Sequence, residues 1–560
     1  VKGISIDATY SGTISVNSGV LITIASSGFT QAGGTFTGGN QEIRINGPFS
    51  LSGGIFNSTS GTLQVSSNFS FTAGAFNHNN GTVTFSAAQT ITGNAVFYDI
   101  LFVSSGGIYT IASGTTIKST HNVTISGGAS CTFNTGTLEL TGNLTLTSTS
   151  NNSVNGGSAT FVFNGTGIQT IQSAIREISV GTNERMCALP NIEINKVSGS
   201  LHLIGLISLN GTSWRTTAGA ALIDAGTSTV NIYSNITFTG EDLSLYNIHI
   251  WPNSSSITLS PASYVLTATN NVTINGGGYY SLNTGTLAIK GNLLLMSTST
   301  SAINGGTGTI LFDGTGAQYI NSSTSDLNYV CALPSIAINK TSGSLNFAGT
   351  INVAGTSWNT IAGASLVNFG TSVINVLRSC TISGQDLSMY DLVITGTFNT
   401  ITISSGVTWV CNHRLTLAGG ASWYQINTGT INAKGDILIT NTNTSNSVGG
   451  TATILVDGTA DQTLTGSGIE GGGKLPAIQI NKTGGTLFLS GIISTGNNWT
   501  YTAGNVDAAA YNSTLDFYKT AVIDGQGTSN TMSFFNVLFS GFISLGGNMD
   551  VNGNFTIRTG

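Results

Sequence analysis

Phenylalanine stands at Phe29, Phe49 and Phe69 and again at Phe36, Phe56 and Phe76, both sets at a step of 20 residues (49 − 29, 69 − 49; 56 − 36, 76 − 56). The apolar pairs Ile43/Ile45, Leu63/Val65 and Val83/Phe85 keep the same step. A helix would smear such positions around its circumference, because its period is about 3.6 residues. One turn of a solenoid returns each side chain to the place above its equivalent. Alternating triplets such as Ile43-Arg44-Ile45 and Phe69-Ser70-Phe71 read as short strands with one face inward. The predicted fold is therefore all-β: a stack of coils of roughly 20–25 residues, spaced about 4.8 Å apart, with ladders of like residues inside.

Only 7% of the 560 residues are charged, against about 25% in an ordinary domain, so Ser, Thr, Asn and Gly must cover the surface. With 39% hydrophobic residues the chain can still build a core, which separates it from disordered polymers. The net charge of −6 is spread thinly and no basic patch interleaves with aromatics, so nucleic acid is not an expected partner. No run of 18 apolar residues exists, which excludes a membrane-spanning helix. The chain begins at Val1 without a signal peptide and reads as a processed or cropped piece of a longer secreted product.

A longer period overlies the coil. Asn134-Thr135-Gly136-Thr137 returns as Asn283-Thr284-Gly285-Thr286 and Asn427-Thr428-Gly429-Thr430, at shifts of 149 and 144 (283 − 134, 427 − 283). Leu189-Pro190, Leu333-Pro334 and Leu475-Pro476 are each followed by Ile-Asn-Lys, ending at Lys196, Lys340 and Lys482. Trp214, Trp358 and Trp499 mark a third equivalent place, expected to anchor each repeat. The chain divides into regular coils over 1–125 and large repeats at 126–274, 275–417 and 418–560. It stops where a fourth repeat would start. No polar cap is legible at either end, so continuation of the polypeptide or docking of another subunit is expected there.

The phrases Gly81-Thr82-Val83-Thr84-Phe85 with Gln89-Thr90-Ile91, and Ile310-Leu311-Phe312-Asp313-Gly314-Thr315-Gly316-Ala317-Gln318, carry a resemblance. The chain resembles giant repeat-rich secreted surface proteins of bacteria, the filamentous-haemagglutinin-like adhesins and other exoproteins whose passenger regions are right-handed parallel β-helices. The resemblance covers essentially the whole chain and implies an extracellular stalk, fibre or adhesin. It brings no catalytic residues, because its repeats are packing signatures.

Candidate sites are few. Glycoside hydrolysis needs paired carboxylates, and Asp224, Asp313, Asp457 and Asp507 are solitary. Glu241-Asp242 is a pair, but its counterpart Gln385-Asp386 lacks one carboxylate, so Asp242 and Asp386 are expected to fix local turns. Asp457 and Asp461 share a loop without carboxylate pairs at the equivalent positions. The histidines (His78, His121, His202, His249, His413) share no spacing, and no calcium-binding repeat is present, so neither metal nor cofactor is indicated. Lys196, Lys340 and Lys482 are expected to line an outer face or cover an edge. The five cysteines have no CxxC spacing; Cys131 and Cys380 fall in apolar slots, and Cys187 and Cys331 would lie about 30 Å apart, beyond the ~7 Å that a disulfide tolerates. In Tyr279-Tyr280 and Trp423-Tyr424 one ring of each pair should point outward, and Tyr280, Tyr424 and Trp423 are the candidate contacts for a glycan or a neighbouring molecule.

The expected function is structural: an extracellular or cell-surface fibre, sheath or stalk that self-associates along the stacking axis, with no catalytic residues. An adhesin shaft binding surface glycans is the first alternative, and a polysaccharide-degrading β-helix the second.

Overall fold

The computed structural model describes residues 1–103, 106–149, 155–173, 187–251, 255–301, 304–527 and 531–558. The chain forms two compact units, Val1–Asn270 and Asn271–Gly560. Each is an all-β parallel solenoid whose coils succeed one another roughly every 22 residues. Helical geometry among the described residues is confined to two single 3-10 turns, Ala220–Leu222 and Ala364–Leu366.

In the first unit one sheet runs through Gly3–Ile6, Gly28–Gln31, Phe49–Asn57, Phe69–Asn77, Gln89–Thr92, Gly107–Ile111 and Cys131–Asn134. A second runs from Ile22–Ile24 through Ile43–Ile45 and Thr62–Val65 to Ile223–Asp224, one strand per coil. Pairing is parallel and places like on like: Phe29 opposite Phe49, Phe49 opposite Phe69, Phe36 opposite Phe56 and Phe56 opposite Phe76. The Phe49 ring stacks on Phe29 at 5.5 Å and on Phe69 at 4.8 Å, while Phe56 meets Phe49 edge-on at 5.0 Å. Inward-facing rings at the strand spacing thus form two ladders set edge-to-face, the arrangement the ring quadrupole favours.

The second unit continues the same logic in a sheet that includes Thr350–Val353, Val373–Val376, Leu387–Thr395, Thr408–Ala418 and two 19-residue strands, Ala477–Thr495 and Trp499–Phe517. Register shifts between those long strands absorb the corners within continuous strand. Trp214 and Phe238 stack in the first unit; Trp358 and Trp499 are likewise fully buried in the second.

The recurring Asn-Thr-Gly-Thr is a corner. Thr135, Thr284 and Thr428 have φ near +50° and the following glycines have φ of 54°, 58° and 52°. Two consecutive positive φ values make a tight reversal that a glycine must complete. A Cβ on Gly429 would come 2.3 Å from Ile403 Cγ2, so the close approach to the coil below also demands glycine.

Candidate functional site: polar ties between coils

Lys196, Lys340 and Lys482 are buried, with 1%, 1% and 2% of their surface exposed, which overturns the outer-face expectation. The Nζ of Lys196 donates to Gly165 O (2.5 Å), Gly167 O (3.0 Å) and Gln169 Oε1 (3.0 Å). Lys340 repeats this on Gly314 O, Gly316 O and Gln318 Oε1, at 2.5, 2.8 and 3.0 Å. Lys482 does so on Gly458 O, Ala460 O and Gln462 Oε1, at 2.5, 2.9 and 2.6 Å. The amides Gln169, Gln318 and Gln462 each donate onward to two backbone carbonyls, Leu140/Gly142, Ile289/Gly291 and Ala433/Gly435. Each lysine thus ties three successive levels of chain, and burial lowers all three ammonium pKa values. The expectation failed because a tight corner turns its carbonyls inward, and only a buried donor can satisfy them. The glutamines escaped the sequence reading, although Gly-Thr-(Gly/Ala)-x-Gln precedes each lysine.

The acidic residues also tie coils. Asp242, Asp386 and Asp461 accept the amides of Val265, Thr408 and Thr486, more than 20 residues downstream, rather than fixing local turns. Asn68, Asn191 and Asn292 do the same for Thr90, Thr212 and Tyr319. Glu241 accepts the Ala220 amide and Gln385 that of Ala364, so the carboxylate and the carboxamide are interchangeable in one role. Asp457 accepts from Lys434 (3.1 Å) and Asn432 (3.0 Å).

His121 and His413, which share no obvious phrase, occupy one kind of place. Each Nδ1 lies 2.8 Å from the aspartate 22 residues earlier, Asp99 or Asp391, and each ring stacks at 4.5 Å on Tyr98 or Tyr390. Cys411 lies nearby in sequence, but its thiol donates to Tyr390 O at 3.5 Å, the role that Ser119 fills toward Tyr98 O. Burial pushes the Cys187, Cys331, Cys380 and Cys411 thiols up to about 12, and all five cysteines are buried and free. Among the described residues no three His, Cys, Asp or Glu side chains come together as a metal site would require.

Tyr280 and Tyr424 are not surface contacts: 1% and 0% of them is exposed. Tyr280 Oη donates to Ala332 O at 2.5 Å and Tyr424 Oη to Lys474 O at 3.1 Å, tying down the loop before each Leu-Pro. Their neighbours Tyr279 and Trp423 are the partly exposed members of the pairs. Cys131 sits buried in the equivalent slot, so the inward phase was already present in the repeat alignment.

No family model, curated protein or solved structure matches the chain. No helix among the described residues is long and apolar enough to cross a membrane.

Proposed function

We propose that the protein is a structural element of the cell exterior, a fibre, sheath or surface stalk of the kind that the filamentous-haemagglutinin-like exoproteins exemplify. The observation that carries this reading is the threefold Lys–Gln tie, which commits buried charge to holding successive coils together. Backbone ladders, stacked phenylalanines and Asn/Asp staples act in the same direction, so the chain's polar chemistry resists separation of coils. Sparse charge leaves little repulsion to oppose self-association through strand edges.

Electron microscopy of native material tests the reading: fibres, sheaths or stalks are expected, and scattered unassembled particles would refute it. Light scattering should show the isolated chain associating as its concentration rises. Release of reducing or unsaturated sugars from polysaccharides would favour the enzymatic alternative instead. A second reading, a shaft that also binds glycans, is favoured by one observation. Phe398 is 64% exposed and meets the partly exposed Trp423 edge-on at 6.1 Å.

A further inference from the structure

Ser200, His202 and Asp224 of the first unit stand together on the outer face of two successive coils, His202 directly opposite Asp224 in the strand register. Ser200 Oγ lies 2.7 Å from His202 Nε2, and His202 Nδ1 lies 2.9 Å from Asp224 Oδ2. Asp224 is held in turn by the Gly226 amide, which donates to its Oδ1 at 2.9 Å. A carboxylate only accepts, so its contact with Nδ1 fixes the proton of the neutral ring there and leaves Nε2 to accept from the Ser200 hydroxyl. That is the tautomer a general base for serine requires. Asp224, solitary among the carboxylates, finds its partner in a histidine.

The second large repeat shows what the scaffold itself needs at this place. At a shift of 144 residues (344 − 200, 346 − 202, 368 − 224) stand Ser344, Asn346 and Asn368. Asn346 Nδ2 donates to Ser344 Oγ at 2.8 Å, Asn368 Nδ2 to Asn346 Oδ1 at 3.4 Å, and the Gly370 amide to Asn368 Oδ1 at 3.0 Å. The same chain of bonds therefore closes with carboxamides, which take up no proton. The third repeat has Phe488 in place of the histidine, so only the first pairs a histidine with a carboxylate here. Only there, too, do branched aliphatic side chains flank the serine. Val197 is 77% and Ile168 71% exposed, where the other repeats have Thr341 and Thr483, and Ala317 and Asp461. The Ser198 hydroxyl donates to Thr166 O at 3.0 Å and the Gln169 amide to Ser200 O at 2.8 Å, so both segments lie beside the serine.

We propose that Ser200, His202 and Asp224 hydrolyse esters of short aliphatic acids. Ser200 Oγ attacks the ester carbonyl carbon as its proton passes to His202 Nε2. The tetrahedral intermediate collapses with cleavage of the bond to the alcohol oxygen, and the alcohol leaves with that proton. Water then adds to the acyl-serine through the same base, the acid departs, and Ser200 regains its proton. Ester and water become acid and alcohol. Asp224 is the positioning residue: it orients the ring and stabilises the imidazolium. The amides of Gly199 and Ser200 donate no hydrogen bond among the described residues, so they are the donors at hand for the oxyanion. Val197 and Ile168 give the acyl chain apolar cover. The inference does not rest on the fibre reading, because a lone chain carries all three residues.

The test uses the full chain with p-nitrophenyl acetate and butyrate, and with a fluorophosphonate that phosphonylates activated serines. A phosphonyl adduct on Ser200 is expected, with butyrate favoured over acetate by about 3- to 10-fold in kcat/KM. Ser200→Ala and His202→Asn should each lower kcat/KM by at least about 100-fold and abolish the adduct. His202→Asn and Asp224→Asn install the residues of the second repeat, so the bonds between these coils stay closed. Asp224→Asn should lower kcat and leave KM unchanged, a split that a merely structural role would not produce. Val197→Thr should erase the butyrate preference, and Ser344→Ala should change nothing. An unlabelled Ser200, or hydrolysis undiminished in Ser200→Ala or His202→Asn, would overturn the inference.

Discussion

Replacing Lys340 by Met keeps the side-chain length and removes the ammonium, so it isolates the energetic value of one tie. Three acceptors lose a donor. Gln318 Oε1 keeps the Gly314 amide at 3.1 Å, and Gly316 O lies where water can reach it, so Gly314 O is the acceptor left stranded. An orphaned buried acceptor costs about 1–3 kcal/mol, and the three charge-assisted bonds contribute several kcal/mol between them before the desolvation of the ammonium is counted. Against this, the ammonium no longer has to be desolvated, a penalty of several kcal/mol that burial already expresses in the lowered Lys340 pKa. The balance is a net loss of about 2–3 kcal/mol, since removing one partner of a buried polar cluster costs more than replacing the whole cluster. Because a solenoid opens locally rather than all at once, the readout is native-state hydrogen exchange. Amides of Thr309–Phe312, Gln318–Ser322 and Leu345–Ala348 should exchange about 30- to 150-fold faster, with distant coils unchanged. Lys290→Met, which breaks only the half-exposed Lys290–Asp313 pair, should change exchange by less than about 1 kcal/mol. Unchanged or slower exchange in Lys340→Met would refute the argument, because desolvation would then outweigh the bonds.

Three further outcomes are expected. His249 is 5% exposed with neither ring nitrogen bonded among the described residues, and burial lowers its pKa to about 4. The unfolded chain therefore holds more protons between about pH 6.5 and 4, so stability is full above about 6.5 and falls by on the order of 3 kcal/mol towards pH 4. Acid titration of exchange in the first unit should show that loss, and His249→Phe should remove it. Phe49→Ala should cost about 3–5 kcal/mol and Phe49→Leu below about 1.5, read by urea unfolding of the coils around 29–76. Gly429→Ala should cost about 2–3 kcal/mol through both backbone strain and the Ile403 clash, whereas Gly406→Ala, with φ of 80° but open space around it, should show only the strain of about 1 kcal/mol.

The step of 20 residues was enough to specify parallel coils, because only one turn per repeat returns Phe29, Phe49 and Phe69 to a single internal column. The same periodicity marked the corners at Thr135-Gly136 and the positions of Trp214, Trp358 and Trp499, whose burial follows from size and recurrence. It carried the phase of the adjacent aromatic pairs, since Cys131 fills the slot of Tyr280 and Tyr424, but not the hydroxyl partner, Ala332 O or Lys474 O, which lies roughly 50 residues away along the chain. It could not place Lys196, Lys340 and Lys482 either. A lysine is normally driven to water, and the carbonyl cradle that makes burial favourable exists only once the corner at Gly165, Gly314 or Gly458 is stacked beneath it. Local period sets the architecture because each coil repeats one geometry; the polar chemistry is set by which coils lie against each other, and that is a property of the stack.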